Sequence, residues 1–330
     1  MAVYTVLDRD EVESLIKPFG IGPLIDFEGV TAGIENSNYF VTTDHSGLPS
    51  ETRTKSTGEY VLTIFESAAA EELLFFNQLT TLLNLKGLPV PCPLRNADGT
   101  SIQHIHGKPA IVVPKVAGTH PKQATPQQCQ ALGNTLAHIH LSCQQAQLQH
   151  TSTRSIAWLA QLANALLPQL STEDAKLASE VSRFQQLTER HPNLPQAVIH
   201  GDLFRDNALV LNDEISGIID FNNAGDGHLM LDLAIVVNDW CSRPDGSLDP
   251  ALVSAILAHY QQVRPFTSDE TLLWNDFLRV AACRFWLSRL ASSLKTETQQ
   301  RPGVLVEEKD PDEYRQILLH HIQAPQKLKE

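Results

Sequence analysis

The sequence predicts an α+β chain of two lobes, a small β-rich N-terminal lobe over residues 1–116 and a larger helical C-terminal lobe over 117–330. Three observations carry this reading. Short apolar runs bounded by Gly, Pro, Ser and Asp dominate the chain up to Val113, the pattern of strands and turns. From Thr125 onward the apolar residues mostly recur at helical spacing. Between them lies PKVAGTHP (114–121), where the character of the chain changes. A length of 330 residues also exceeds what one ordinary core organises, so two lobes are expected on size alone.

Hydrophobic residues make up 42% and charged residues 19%, the range of a soluble globular protein. The formal net charge of -13 argues against a nucleic-acid or anionic-membrane partner, which needs a basic patch. An anionic ligand must therefore be met locally, by backbone N–H groups, a few basic side chains and a metal. The five cysteines are an odd number without C-x-x-C spacing. Neither a disulfide framework nor a zinc site is expected, and a reducing, cytoplasmic setting is. The start MAVYTVLDRDEVESL has no basic n-region or apolar h-region, so no signal peptide is expected. No uncharged apolar run reaches the roughly 20 residues of a membrane helix.

In chain order, Asp8 or Asp10 caps an amphipathic helix whose face is Val12, Leu15, Ile16 and Phe19, and Gly20 ends it. Leu24–Glu28 and the run YFVTT read as a hairpin, with Gly29 and Gly33 in or near its turn. YVLTIF (60–65) is a strong strand signal, and Ser67 caps a helix bearing Leu73, Phe76, Leu79 and Leu83. GLPVPCP (87–93) is a connector, because its prolines remove donors and fix φ. Ile102–His106 and Pro109–Val113 form strands around Gly107. In the second lobe Thr125-Pro126 opens a helix, and Ile156–Leu170 and Ser171–Arg190 read as two more. Asp249-Pro250, Ser268 and Asp310-Pro311 start the last three.

The chemistry concentrates in Val198–Trp240. Ala197–Ile199 is a short strand and His200–Asn207 a polar loop. Ala208–Leu211 and Ile215–Ile219 flank Asn212-Asp213-Glu214, a hairpin turn by composition. A turn centred on 213 brings Asn207 opposite residue 219 or 220, so Asn207 and Asp220 meet at the open end of one hairpin, near Asp202. An amide oxygen and a carboxylate suit a hard ion such as Mg²⁺, which fills the rest of its shell with water and phosphate oxygens. H-G-D-L-F-R-D-N followed by I-I-D-F has the spacing of a kinase catalytic loop and its metal aspartate. Asp202 is then the group that orients an acceptor hydroxyl and takes its proton. Singly these residues are weak signals, since a lone loop Asp is usually a turn or cap residue. Their conjunction is specific. Asp206 reads as a surface charge, His138 and His140 as packing or hydrogen-bonding groups, and Asp232 as a buried brace for the catalytic-loop backbone or a cap.

The segments GIENSNYFVTT (33–43), YVLTIFE (60–66), GLPVPCP (87–93), VIHGDLFRDN (198–207), IIDF (218–221), LDLAIVVNDWC (231–241) and RFWLSRL (284–290) closely resemble the aminoglycoside phosphotransferase and choline kinase superfamily. The narrower segments, IENSNYFVTT, FRDN, IVVNDWC and RFWLSRL, are similar to its bacterial homoserine kinase family. The resemblance implies a protein-kinase-like fold and transfer of the ATP γ-phosphate to L-homoserine, giving O-phospho-L-homoserine, a step of threonine synthesis. It implies Asp202 as base, Asn207 and Asp220 on Mg²⁺, Gly29–Asn38 over the ATP phosphates and Val112–Val116 against the adenine. The nucleotide contacts expected are therefore Gly29, Gly33, Asn36, Asn38, Thr63 and Val113.

Three features depart from the general kinase pattern. The phosphate loop has two glycines rather than three. Thr63 stands near the place of the third-strand lysine, which leaves Glu71 or Glu72 without the usual partner, and D-F-N replaces D-F-G. Homoserine is a zwitterion with a terminal hydroxyl. Its site needs a cation for the carboxylate, acceptors for the ammonium, and a hydroxyl aimed at Asp202. Arg205 is the nearest cation in sequence and is expected at the acceptor and in catalysis, with Asn222, Asp239, Trp240 and Arg284 as further acceptor residues. The alternatives are another hydroxyl kinase of the same fold, acting on choline, ethanolamine or an aminoglycoside, and a catalytically silent nucleotide-binding protein. The arginines lean against the cationic acceptors.

Overall fold

The computed structural model describes residues 4–30, 36–47, 56–67, 70–298 and 309–328. They divide into two compact units. Met1–Leu85 with Val90–Val116 belong to the first, and Lys86–Pro89 with Ala117–Gln300 and Glu308–Glu330 to the second.

The first unit is built on a five-stranded antiparallel sheet of order β1-β2-β3-β5-β4. Its strands are β1 (Leu24–Gly29), β2 (Asn36–Asp44), β3 (Thr57–Phe65), β4 (Gln103–Ile105) and β5 (Lys108–Pro114). Alternation decides the two faces. Tyr39, Val41, Tyr60, Leu62, Ile64, Ala110 and Val112 point to one core, joined by Val12, Leu15 and Ile16 of helix α1 (Arg9–Ile16). Asp8 caps α1 in a capping box with Glu11, and Gly20 ends the following 3₁₀ turn in the left-handed region. The opposite face packs Phe65 and Ile111 on Leu73 and Phe76 of α2 (Ala70–Leu85). Residues 68 and 69 lie outside the described residues, so α2 carries no assigned cap and Ser67 stands three positions before its start. Gly29 is the last residue of β1, paired with Tyr39, and so stands next to the connection, as expected. Gly33 lies outside the described residues.

The second unit is mostly helix: α3 (Pro126–Ala146), α4 (Ile156–Leu166), α5 (Thr172–Ala178), α6 (Glu180–Arg190), α7 (Leu229–Trp240), α8 (Pro250–Val263), α9 (Ser268–Thr298) and α10 (Pro311–Gln323). The span Ser171–Arg190, expected as one helix, is two. The Ser179 N–H turns to the carbonyls of Ala175 and Leu177, and α6 starts there. α9 is capped by Thr267, not Ser268: Thr267 and Glu270 exchange side-chain-to-backbone hydrogen bonds. α7 is buried on all sides except at Asp239, so it is the central helix of the unit.

Two small antiparallel sheets sit among these helices. β7 (Ala208–Leu211) and β8 (Glu214–Ile218) form the expected hairpin, with Asn212 and Asp213 both at positive φ, as a two-residue turn matched to strand twist requires. The second sheet was not expected. β6 (Gln196–Ile199) pairs with β9 (Gly225–His228), which brings the chain back to the catalytic loop after Asp220. Among the described residues no helix is long and apolar enough to cross a membrane, and all five cysteines are free.

Candidate active site

The loop His200–Asn207 is held from below by one carboxylate. Asp232, in the first turn of α7, is fully buried. Its Oδ2 accepts from the His200 N–H at 2.8 Å and its Oδ1 from the Gly201 N–H at 2.8 Å. His140 of α3 donates a third hydrogen bond, Nε2 to Oδ2 at 3.0 Å. Burial alone would raise this carboxyl's pKa, but the hydrogen bond from His140, with the His200 ring and the Gly201 N–H, holds it below the ordinary value. The chain of contacts continues outward. Tyr260 donates its hydroxyl to His140 Nδ1 at 2.7 Å and accepts from Arg264, which is paired with Glu270. Gly201 has φ +76°, and a Cβ there would stand 2.9 Å from the Asn223 carbonyl oxygen, so the loop turns where only glycine fits.

His200 ties this loop to the metal motif. Its Nε2–H donates to the Ile219 carbonyl at 3.0 Å, and Nδ1 accepts from the Asp202 N–H at 3.3 Å. Both ring nitrogens are thereby used in the neutral tautomer, and burial lowers its pKa in the same sense. Its ring lies 4.5 Å from that of Phe221, centroid to centroid.

Asp202, Asn207 and Asp220 meet as the hairpin register requires. Ala208 pairs with Ile218, and the Ile219 N–H donates to the Asn207 carbonyl at 3.0 Å. Asn207 donates its Nδ2 to the Asp202 carbonyl at 2.8 Å, which turns its amide oxygen outward. Asp220 is in the left-handed region, φ 62° and ψ 64°, a conformation costing on the order of 1–3 kcal/mol for a non-glycine residue. The strain sets its carboxylate at the exit of β8, with one face open to solvent. The protein closing in on its other sides raises its pKa, against the pull of His200. The Asp202 pKa is pushed up to about 7, first by burial, with Arg284 opposing and Asp220 adding to the rise. A hard divalent cation fits this donor set: one amide oxygen and one carboxylate, beside a second carboxylate whose charge it would relieve. Among the described residues no group of three His, Cys, Asp or Glu gathers to hold a metal.

The acceptor residues expected from the sequence separate into two groups. Arg205 is bound to Asp239, whose Oδ2 accepts from its backbone N–H at 2.7 Å and from its Nε at 3.1 Å, and it also donates to the Lys122 carbonyl. Trp240 is only 2% exposed. Arg205, Asp239 and Trp240 thus brace the loop and the core of the unit. Asn222 is exposed, and its backbone N–H points at Asp220. Its neighbour Asn223, which the sequence did not single out, donates Nδ2 to Asp202 Oδ2 at 3.3 Å. Arg284 of α9 and Asn223 line a cavity of about 260 Å³ with Gly201, Ser152, Arg154, Asp226 and His228. Asp206 is exposed and paired with Lys309 at 2.7 Å.

In the first unit, Thr63 donates its hydroxyl to Asn38 at 2.7 Å across paired strands. The position of the usual lysine is therefore a neutral cross-strand bond. The ammonium of Lys108 is bound to Glu66 and Thr5, with Ser37 donating to the same Glu66 at 2.6 Å. Asn36 opens β2, and Val113 packs beside Phe65 and Ile111.

The chain matches the model of the phosphotransferase enzyme family over residues 26–266. It is 42% identical over 294 residues to a homoserine kinase of Pseudomonas aeruginosa, covering 89% of each chain. It is 37% identical over 328 residues to a homoserine kinase of Methylobacillus flagellatus, covering 99% of this chain and 98% of the relative. Among solved structures it is similar to the amicoumacin kinase hAmiN in complex with AMP-PNP, Ca²⁺ and Ami, at a TM-score of 0.64 and 17% identity, covering 96% of this chain and 95% of that one. That last likeness fixes the kinase-like fold.

Proposed function

Because the chain belongs to the phosphotransferase enzyme family, and is with it an ATP-dependent kinase of hydroxyl acceptors, we propose that it transfers the γ-phosphate of ATP to L-homoserine. The observation that carries the reading is the meeting of Asp202, Asn207 and Asp220 on one buried brace, in a chain whose near-full-length relatives are homoserine kinases.

The residues divide the work as follows. Asp202 accepts the proton of the acceptor hydroxyl. The hydroxyl oxygen forms the new bond to the γ-phosphorus, the bond from that phosphorus to the β–γ bridging oxygen breaks, and ADP leaves. Such a transfer needs positioning and charge control more than covalent help. Asn223 holds one oxygen of Asp202 and so orients the other toward the hydroxyl. Asn207 and Asp220 would hold Mg²⁺, which supplies charge neutralisation on the phosphates when bound. Asn36, Asn38, Thr63 and Val113 are the nucleotide contacts proposed on the first unit. No lysine stands on β3, so backbone N–H groups carry more of the phosphate recognition.

A spectrophotometric assay of ADP release with homoserine, choline, ethanolamine and kanamycin tests the acceptor. Turnover is expected with homoserine. Turnover with another of the four and none with homoserine would overturn the assignment. Five free cysteines and the absence of a spanning helix among the described residues support a cytoplasmic setting.

A further inference from the structure

Among the described residues Arg284 has no carboxylate within ion-pair distance, although Asp202 and Asp232 act on its charge from farther off. Arg284 is 4% exposed, yet it donates no hydrogen bond to any described residue. Its recorded contact is the ring of Phe285, 5.2 Å from the centroid. The contrast within the unit is sharp: Arg205, Arg264, Arg279, Arg289 and Arg315 each meet a carboxylate. A buried guanidinium with unused donors is costly, and proteins supply such a group with a partner. Arg284 lines the 260 Å³ cavity, and so does Arg154, whose guanidinium lies 4.7 Å over the Trp158 ring and also pairs with no described carboxylate. Two unpaired guanidiniums therefore converge on one cavity, and its wall includes Gly201 and Asn223, the neighbours of Asp202.

We propose that Arg284 and Arg154 are the specificity residues of the acceptor site, binding the carboxylate of a small hydroxy-amino acid whose hydroxyl end reaches Asp202. The inference rests on the acceptor reading above and deepens it by naming the end of the molecule that is selected. Planar guanidiniums suit a carboxylate, which they grip through paired N–H donors. The cavity is smaller than the roughly 300–1,000 Å³ typical for drug-sized ligands, so it fits a small metabolite and not a trisaccharide antibiotic. Ser152 and Asp226 on the same wall supply acceptors for an ammonium group. Choline and ethanolamine would leave both guanidiniums unpaired.

The test is steady-state kinetics of Arg154→Gln and Arg284→Gln with L-homoserine, beside competition by two fragments of it. 4-Hydroxybutyrate keeps the carboxylate and 3-aminopropan-1-ol lacks it. Assays run at pH 8.5, because Arg284 also bears on the ionisation of Asp202. The KM for homoserine is expected to rise about 10- to 100-fold in each variant, the loss of a charge-assisted hydrogen bond. The KM for ATP is expected to hold within twofold. Inhibition by 4-hydroxybutyrate should weaken in parallel, while that by 3-aminopropan-1-ol does not change. An unchanged homoserine KM in both variants, or an equal weakening of the two fragments, overturns the carboxylate assignment while leaving the kinase reading intact. Failure of the wild type to use homoserine at all overturns the acceptor reading and this inference with it. Arg154 is partly exposed, so its variant keeps the test decisive if Arg284→Gln does not fold.

Discussion

Asp232→Asn isolates the brace beneath the catalytic loop, because the amide has the same shape and no charge. The wild-type carboxylate accepts three hydrogen bonds, at 2.8, 2.8 and 3.0 Å, inside a fully buried site. An asparagine can place its one oxygen toward His140 and the His200 N–H. Its NH₂ then faces the Gly201 N–H, donor against donor. One buried N–H left without an acceptor costs roughly 1–3 kcal/mol, and two charge-assisted bonds become neutral ones at about 1 kcal/mol each. The sum is about 3–5 kcal/mol, the range found when a buried ionic contact is broken. Urea unfolding followed by tryptophan fluorescence reads this directly, since Trp158, Trp240, Trp274 and Trp286 all belong to the second unit. The loop should also shift, and a displacement near 1 Å is worth about 100-fold in rate. The turnover number should therefore fall at least tenfold in the folded variant. The pH dependence gives a control on sign. Asp232 has a lowered pKa, so its stabilisation is present above the unfolded carboxylate value and is lost as pH falls through the folded one. The gap between variant and wild type should narrow in acid. A loss below about 1 kcal/mol together with turnover within twofold of wild type would refute the reasoning.

Asp202→Asn should lower kcat by orders of magnitude while MgATP binding, measured by calorimetry, persists; near-normal turnover would remove Asp202 as the base. Asp220→Ala should abolish Mg²⁺-dependent nucleotide binding, and because alanine tolerates the left-handed region no better than aspartate, the ligand-free variant should be no more stable than wild type by differential scanning fluorimetry. A Mg²⁺ titration that matches wild type would count against the metal role. With its pKa pushed up to about 7, Asp202 must lose its proton to act, so kcat/KM for MgATP should fall about tenfold per pH unit below 7. A profile flat from pH 5.5 to 8 would contradict this. Arg205→Ala should destabilise the second unit by about 1–3 kcal/mol through Asp239, with the homoserine KM changed less than twofold, and a selective rise in that KM would move Arg205 back to the acceptor.

Local signals carried most of the fold into the sequence. β3 and α1 announce themselves by period, cap and glycine, and the β7–β8 hairpin by its turn residues, so the meeting of Asn207 and Asp220 was legible from spacing alone. Two elements were not. α7 is buried on nearly every side, Asp232 and Asn238 included, so it has no solvated polar stripe from which a helical period could be read. β9 is GDGH, poor in strand formers, because the Ile199 side chain of β6 and the segment at Ser152 crowd it. A Cβ on Gly227 would stand 2.5 Å from the Ile199 side chain, and one on Gly225 2.7 Å from Ser152. Close approach selected those glycines, and close approach has no signature in a single sequence.

The sequence named Arg205, Asn222, Asp239, Trp240 and Arg284 as acceptor candidates, and their charge partners now separate them. Proximity in sequence to Asp202 pointed to Arg205, but a loop arginine near a catalytic Asp has first to be held itself, and Asp239 holds it by backbone and side chain together. The arginines proposed for the acceptor are instead ones whose donors the fold leaves unspent, which is known only once every carboxylate in reach has been assigned. Arg284 passes this criterion on a helix far along the chain, and Arg154 passes it on a segment that no motif marks. The same criterion separates the two asparagines of the D-F-N-N turn. The Asn222 side chain faces solvent, while Asn223 is drawn to Asp202, because the left-handed Asp220 rotates the following 3₁₀ turn toward the loop. The strained residue proposed for the metal thus also positions the residue that orients the base, which couples phosphate and acceptor sites through one backbone conformation.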